Sequence, residues 1–167
     1  MTDPGGRAAR AKERSMKCWT GTLALAASMT VAIAAQAADI GQVKVASGKV
    51  EIERAGAVQP ASAGARLQAG DVVRTGADGA VGITMSDDSR LSAGPNSVLA
   101  LDRYAYDPAT SRGQFDASLK SGSLAVVSGR IAKQTPDAMR VRTPMAILGV
   151  RGTEFAVALD EPAPAPR

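Results

Sequence analysis

The sequence predicts an all-β domain of short, mainly antiparallel strands, arranged as a twisted sandwich or a β-roll. Three observations lead there. Apolar residues recur at every second position in several short runs, as in Ala80 to Met85 with Val81, Ile83 and Met85. Gly, Pro and Asp clusters interrupt these runs roughly every eight to twelve residues. Beyond residue 37 no segment holds a helical apolar period.

Residues 1–37 read as a targeting segment. The first part is rich in Gly, Arg and Ala, and Met16 is an alternative start. Lys17 precedes an apolar run containing Leu23, Leu25, Met29, Val31 and Ile33, and Ala35, Gln36 and Ala37 follow it. A basic start, a short apolar centre and small residues at A-x-A spacing form the secretory pattern. The run is too short and alanine-rich for a membrane span. Cys18 stands before it, whereas a lipid anchor needs a cysteine after it. Cleavage is expected between Ala37 and Ala38. The product is expected to be periplasmic or secreted, with no retained membrane anchor.

The net charge of +4 comes mostly from this leader. Setting aside its five basic and two acidic residues leaves 15 and 14, a net of +1. That balance gives no sustained basic surface, so no nucleic-acid partner is expected.

Residues 38–159 form the predicted domain. Val43 and Val45, then Val50 and Ile52, alternate with polar residues on either side of Gly48. A similar pattern returns at Gly122, with Leu124 and Val126 before Gly129 and Ile131 after it. It predicts that a strand–glycine–strand corner is used twice. Ala55 to Ala57 is a turn, and Leu67 is an isolated core contact. Asp71 to Thr75 is a strand, and residues 76–79 are a turn of favoured composition. Residues 86–89 turn the chain back, as do Gly94, Pro95 and Asn96. Residues 107–113 form a polar loop. Phe115, Ala117 and Leu119 alternate after it, and Met139 and Val141 follow a Thr-Pro-Asp break. From Arg142 to Val157 the prediction is a strand through Ala146, Ile147, Leu148 and Val150, a corner at Gly149 and Gly152, and a second strand with Phe155, Val157 and Leu159 inward. The whole stretch is expected to be core. Residues 160–167 are a Pro/Ala tail, expected to be disordered.

The residue inventory excludes much chemistry. Beyond residue 37 there is neither His nor Cys. A Ser-His-Asp triad, a thiolate nucleophile and an ordinary zinc site are therefore out of reach. No Ser-x-x-Lys or P-loop pattern occurs. Asp87, Asp88 and Ser89 read as a polar hairpin turn rather than a cation site or acid/base pair. Asp71 likewise reads as a turn residue. No catalytic residue, metal or cofactor is expected. Tyr104 and Tyr106 share a strand face and are candidate partner contacts. Arg140, Arg142 and Arg151 could meet an acidic partner or an anionic polymer.

Four segments in this order resemble the FecR domain family: residues 67–76, residues 88–97, residues 119–124 and residues 143–155. The likeness covers roughly residues 64–158 and is weaker from Gly41. It marks Gly70, Asp71, Thr75, Gly94, Asn96, Gly122, Thr143, Pro144, Gly149, Arg151, Gly152, Thr153 and Phe155 as family positions, mainly structural. It implies an all-β extracytoplasmic domain. Its best-known members relay a signal from an outer-membrane transporter to an anti-sigma region inside the cell. This sequence shows no anti-sigma segment and has Asp88 where the family usually has glycine. The domain is thus carried over, but not that relay. The expected function is non-enzymatic protein interaction or signal sensing in the envelope, with another envelope protein as partner. The alternative is a module binding a glycan or anionic polymer.

Overall fold

The computed structural model describes residues 38–135, 137–150 and 154–159. The expected signal peptide with Ala35 and Ala37, the family positions Arg151, Gly152 and Thr153 with the corner expected at Gly152, and the expected C-terminal tail lie outside the described residues.

Strands make up most of the described chain. In order it forms β1 (Asp39–Ser47), β2 (Val50–Arg54), β3 (Ala57–Pro60), β4 (Arg66–Gln68), β5 (Val72–Thr75) and β6 (Ala80–Met85). Then come β7 (Arg90–Ala93), β8 (Val98–Asp107), β9 (Arg112–Val127), a single helical turn α1 (Arg130–Gln134), β10 (Met139–Arg142), β11 (Ile147–Val150) and β12 (Glu154–Leu159). Among the described residues every pairing is antiparallel except β9 with β10.

The long strand β9 organises the rest. Its first half lies between β8 and β10, and its second half between β7 and β12. One sheet therefore runs β3-β2-β5-β8-β9-β10-β11, and the other β4-β1-β6-β7-β9-β12. The change of partner falls at Gly122, whose φ of +80° suits only glycine without strain. The register shifts just before it, where Val98 and Leu99 of β8 face Ser121 and Leu119 with Lys120 left over. A Cβ at Gly122 would lie 2.5 Å from Ser97 Cα, so the close approach of β8 also requires glycine. This bulge bends the strand from one sheet into the other.

The inward faces of both sheets meet in one core. Val43, Ile52, Leu67, Val73, Ile83, Leu91, Leu99, Phe115, Leu119, Leu124, Val126 and Val141 are all buried in it. Each such side chain contributes about 1.5–3 kcal/mol by leaving water. Phe115 also packs edge-on against Tyr104, with ring centroids 5.5 Å apart.

Four predicted details change. Gly149 is not a corner: it lies inside β11, opposite Arg140 in unbroken register. The pattern after Gly129 gives α1, not a strand. The backbone N–H groups of Gly129, Arg130 and Ile131 are all taken by the 86–89 turn, which starts a helical turn instead. Val45 is 62% exposed, because a register shift between Val43 and Val45 turns Ala46 toward the core in its place. The run from Met145 to Val150 is not all core: Met145 is 93% and Ile147 67% exposed. It forms a hairpin tip and an edge strand, and only Val150 is fully buried.

Candidate functional site

β11 and β12 each pair on one side only among the described residues, β11 with β10 and β12 with β9. Each is one edge of its sheet among the described residues, β3 and β4 being the opposite edges, and an open groove of about 320 Å³ lies between β11 and β12. Leu148, Val150, Phe155 and Val157 line it. Phe155, Val157 and Leu159 are half-buried rather than core, since the strand carrying them has no neighbour beyond it.

The hairpin leading into β11 is set by Thr143. Its backbone N–H donates to the Ala146 carbonyl at 2.8 Å, and its Oγ1 accepts from the Ala146 N–H at 3.0 Å. Pairs in an antiparallel ladder alternate between hydrogen-bonded and open. With residues 143 and 146 bonded, the pairs Arg142–Ile147 and Arg140–Gly149 are the open ones. Ile147 and Gly149 therefore aim their backbone N–H and C=O groups at the free edge. Their outer face continues into Arg142 and Arg140, both exposed. Arg140 Nε donates to the Asp137 carbonyl at 3.2 Å. Among the described residues the Arg142 side chain makes neither a hydrogen bond nor an ion pair.

Tyr104 and Tyr106 are not an exposed pair. Both are half-buried against the core. The Tyr104 hydroxyl donates to Asp87 Oδ1 and accepts from the Asp87 N–H. Burial, with the Asp87 charge adding to it, pushes its pKa well above the ordinary phenol value. The Tyr106 hydroxyl is buried without a well-formed hydrogen bond. The Arg130 guanidinium lies beside it and 2.8 Å from Asp88, and these groups hold its pKa above the usual value.

The family positions Asp71, Thr75 and Asn96 brace the fold. Asp71 is fully buried and takes two hydrogen bonds from Arg54, at 2.8 and 2.7 Å, and a third from the Gln68 N–H. Arg54 is held above its ordinary pKa, first by the Asp71 hydrogen bond. Thr75 Oγ1 donates to the Gly94 carbonyl and accepts from the Ser97 N–H. Asn96 has φ of +52°, and its carbonyl accepts from Ser121 Oγ. Asp87 is buried too, and Ser89, Tyr104 and Ile131 all donate to its carboxylate. These carboxylates find several partners within the chain and so tie together the segments that donate to them. Sequence reasoning missed the uncovered edge at Met145 and Ile147. Its one available signal was a Thr-Pro turn placed directly before an apolar run.

Among the described residues no group of three or more acidic, His or Cys side chains could hold a metal ion. No helix among them is long and apolar enough to cross a membrane. The chain has no match among curated proteins or solved structures. Residues 71–164 match the family described as FecR protein, whose members are envelope-associated signalling regulators. That match spans more than half of the chain, from the buried Asp71 through the groove-lining strands, and on this ground the protein belongs to the FecR family.

Proposed function

We propose that this protein is an exported, non-enzymatic FecR domain that binds another protein of the cell envelope through the uncovered edges beside the β11–β12 groove. One observation carries the reading. Met145 and Ile147, large and apolar, are exposed at the tip of the β10–β11 hairpin and at the start of the edge strand β11. Exposed apolar groups and open backbone groups at one place favour a protein partner. Burying both side chains on a partner would contribute a few kcal/mol.

A photo-cross-linker placed at Met145 tests this in intact envelopes. A discrete adduct is expected there and not at Val58, an exposed residue on the outer strand β3. Equal labelling at both positions, or none at Met145, rejects the reading.

A second reading rests on Arg140 and Arg142: an anionic envelope glycan held on the outer face of β10. It predicts binding that salt weakens and that is indifferent to Met145.

A further inference from the structure

We infer that the β11 edge takes up an extended segment of a partner protein in which apolar and acidic residues alternate. This rests on the protein-binding reading and names its partner's chemistry and mode.

The backbone supplies the first requirement. Ile147 and Gly149 turn both their N–H and C=O groups toward the free edge, as the register with β10 dictates. A strand laid against β11 therefore meets two donors and two acceptors already in extended geometry.

The side chains specify the rest, because a strand's residues alternate between faces. On the inner face the neighbours are Leu148 and Val150, with Phe155 and Val157 across the groove. Every second residue of the added strand faces this apolar lining and must be apolar to fill it. On the outer face the neighbours are Ile147 and Gly149, and one strand further Arg142 and Arg140. Gly149 puts no side chain between Arg140 and the incoming strand, though the Asp137 carboxylate approaches the space above it. Arg142 has no partner of its own among the described residues. Two exposed guanidinium groups beside an open edge favour carboxylates at the alternate positions and oppose lysines.

The outer strands β4 and β3 lack this combination. The short β4 has its Arg66 already bonded to Asp39. β3 ends in Pro60 and neighbours both Glu51 and Glu53.

The test uses a short fluorescent peptide alternating Val and Glu, and its Val/Lys counterpart, titrated into the full chain by anisotropy. The Val/Glu peptide is expected to bind at least about tenfold more tightly than the Val/Lys peptide. Ile147→Pro should abolish binding. Its N–H faces solvent, so proline removes no internal ladder bond and the thermal melt should hold. The pair Arg140→Glu and Arg142→Glu should reverse the preference. Equal binding of the two peptides, or unchanged binding by a folded Ile147→Pro variant, overturns the inference. So does self-association through β11 in sedimentation with no peptide bound, which would make a second copy the occupant. If neither peptide binds while the Met145 adduct persists, this inference falls and the protein-binding reading stands; if the adduct is absent, that reading falls first.

Discussion

The Tyr104 hydroxyl and Asp87 hold each other twice, with the phenol donating to Oδ1 at 3.1 Å and accepting from the Asp87 N–H at 2.9 Å. Asp87 also accepts from Ser89 Oγ at 2.7 Å, and its carbonyl accepts from the Arg130 N–H at 2.8 Å. One turn, with Asp87 and Ser89 buried in it, thus joins β6, β8 and the start of α1, which sequence separations of 17 and 44 residues keep far apart in the chain.

Asp87→Ala should be among the most damaging single changes. It leaves the Tyr104 hydroxyl and the Ile131 N–H without their acceptor in a buried place. The expected loss is about 2–4 kcal/mol, read from urea melts. Asp88→Ala, one residue on, should cost about 0–1 kcal/mol, because its pair with Arg130 is exposed on both sides.

Burial of this phenol, with the Asp87 charge adding to it, gives a pH dependence. Tyr104 has a pKa raised in the folded chain, so the folded form keeps the phenolic proton after the unfolded form has begun to lose it. Its contribution is complete below about pH 10, the unfolded phenol value, and falls as the pH rises beyond. Tyr104→Phe should lower stability near neutrality by about 1.5–3 kcal/mol and flatten the decline above that pH. Melts of both proteins across the alkaline range check this; parallel curves count against it.

Removing Arg54 strands the Asp71 carboxylate, which is fully buried. Arg54→Ala should cost roughly 3 kcal/mol in a denaturant melt, since an uncompensated buried charge is more costly than a lost contact. Arg54→Lys should recover only part, because lysine cannot donate to both carboxylate oxygens at once as the guanidinium does.

Two glycines in the left-handed region separate strain from crowding. Gly70 has φ of +91° with nothing within 4 Å of a built Cβ, so Gly70→Ala should cost about 1 kcal/mol from the backbone alone. Gly122 has φ of +80° and a Cβ position 2.5 Å from Ser97 Cα. Gly122→Ala should cost about 3 kcal/mol or more, because β8 and β9 must separate as well. Thermal melts of the two variants should differ accordingly, and equal shifts would contradict the crowding.

Phe115 and Phe155 provide the matching test for the groove. Phe115 is fully buried, and Phe115→Ala should cost about 3–5 kcal/mol. Phe155 is half-buried at an edge, so Phe155→Ala should cost about 1–2 kcal/mol, well below a core deletion. Urea melts of the pair decide it. A Phe155 loss as large as that of Phe115 would mean that the groove is closed in solution.

The strand character of the domain was legible residue by residue. Alternation at Val81, Ile83 and Met85, or at Phe115, Ala117 and Leu119, is a local property of a pleated backbone and needs no partner to be read. The turns at Gly76 and Gly94 were equally plain, and the ordered motifs carried the family. What lay beyond the sequence was which faces other strands would cover. Leu148, Val150 and Ile147 look alike in a list of apolar residues. Ile147 is left in water because β11 is an edge and the pleat turns it outward beside Arg142. The helical turn after Gly129 depends on donors captured by a turn some forty residues earlier. Asp71 and Asp87 read as ordinary turn aspartates until Arg54 and Tyr104 arrive from other strands to satisfy them. Local periodicity determined the strands. Long-range pairing decided burial, and with it the location of the candidate site, because covering a face takes residues distant in the chain.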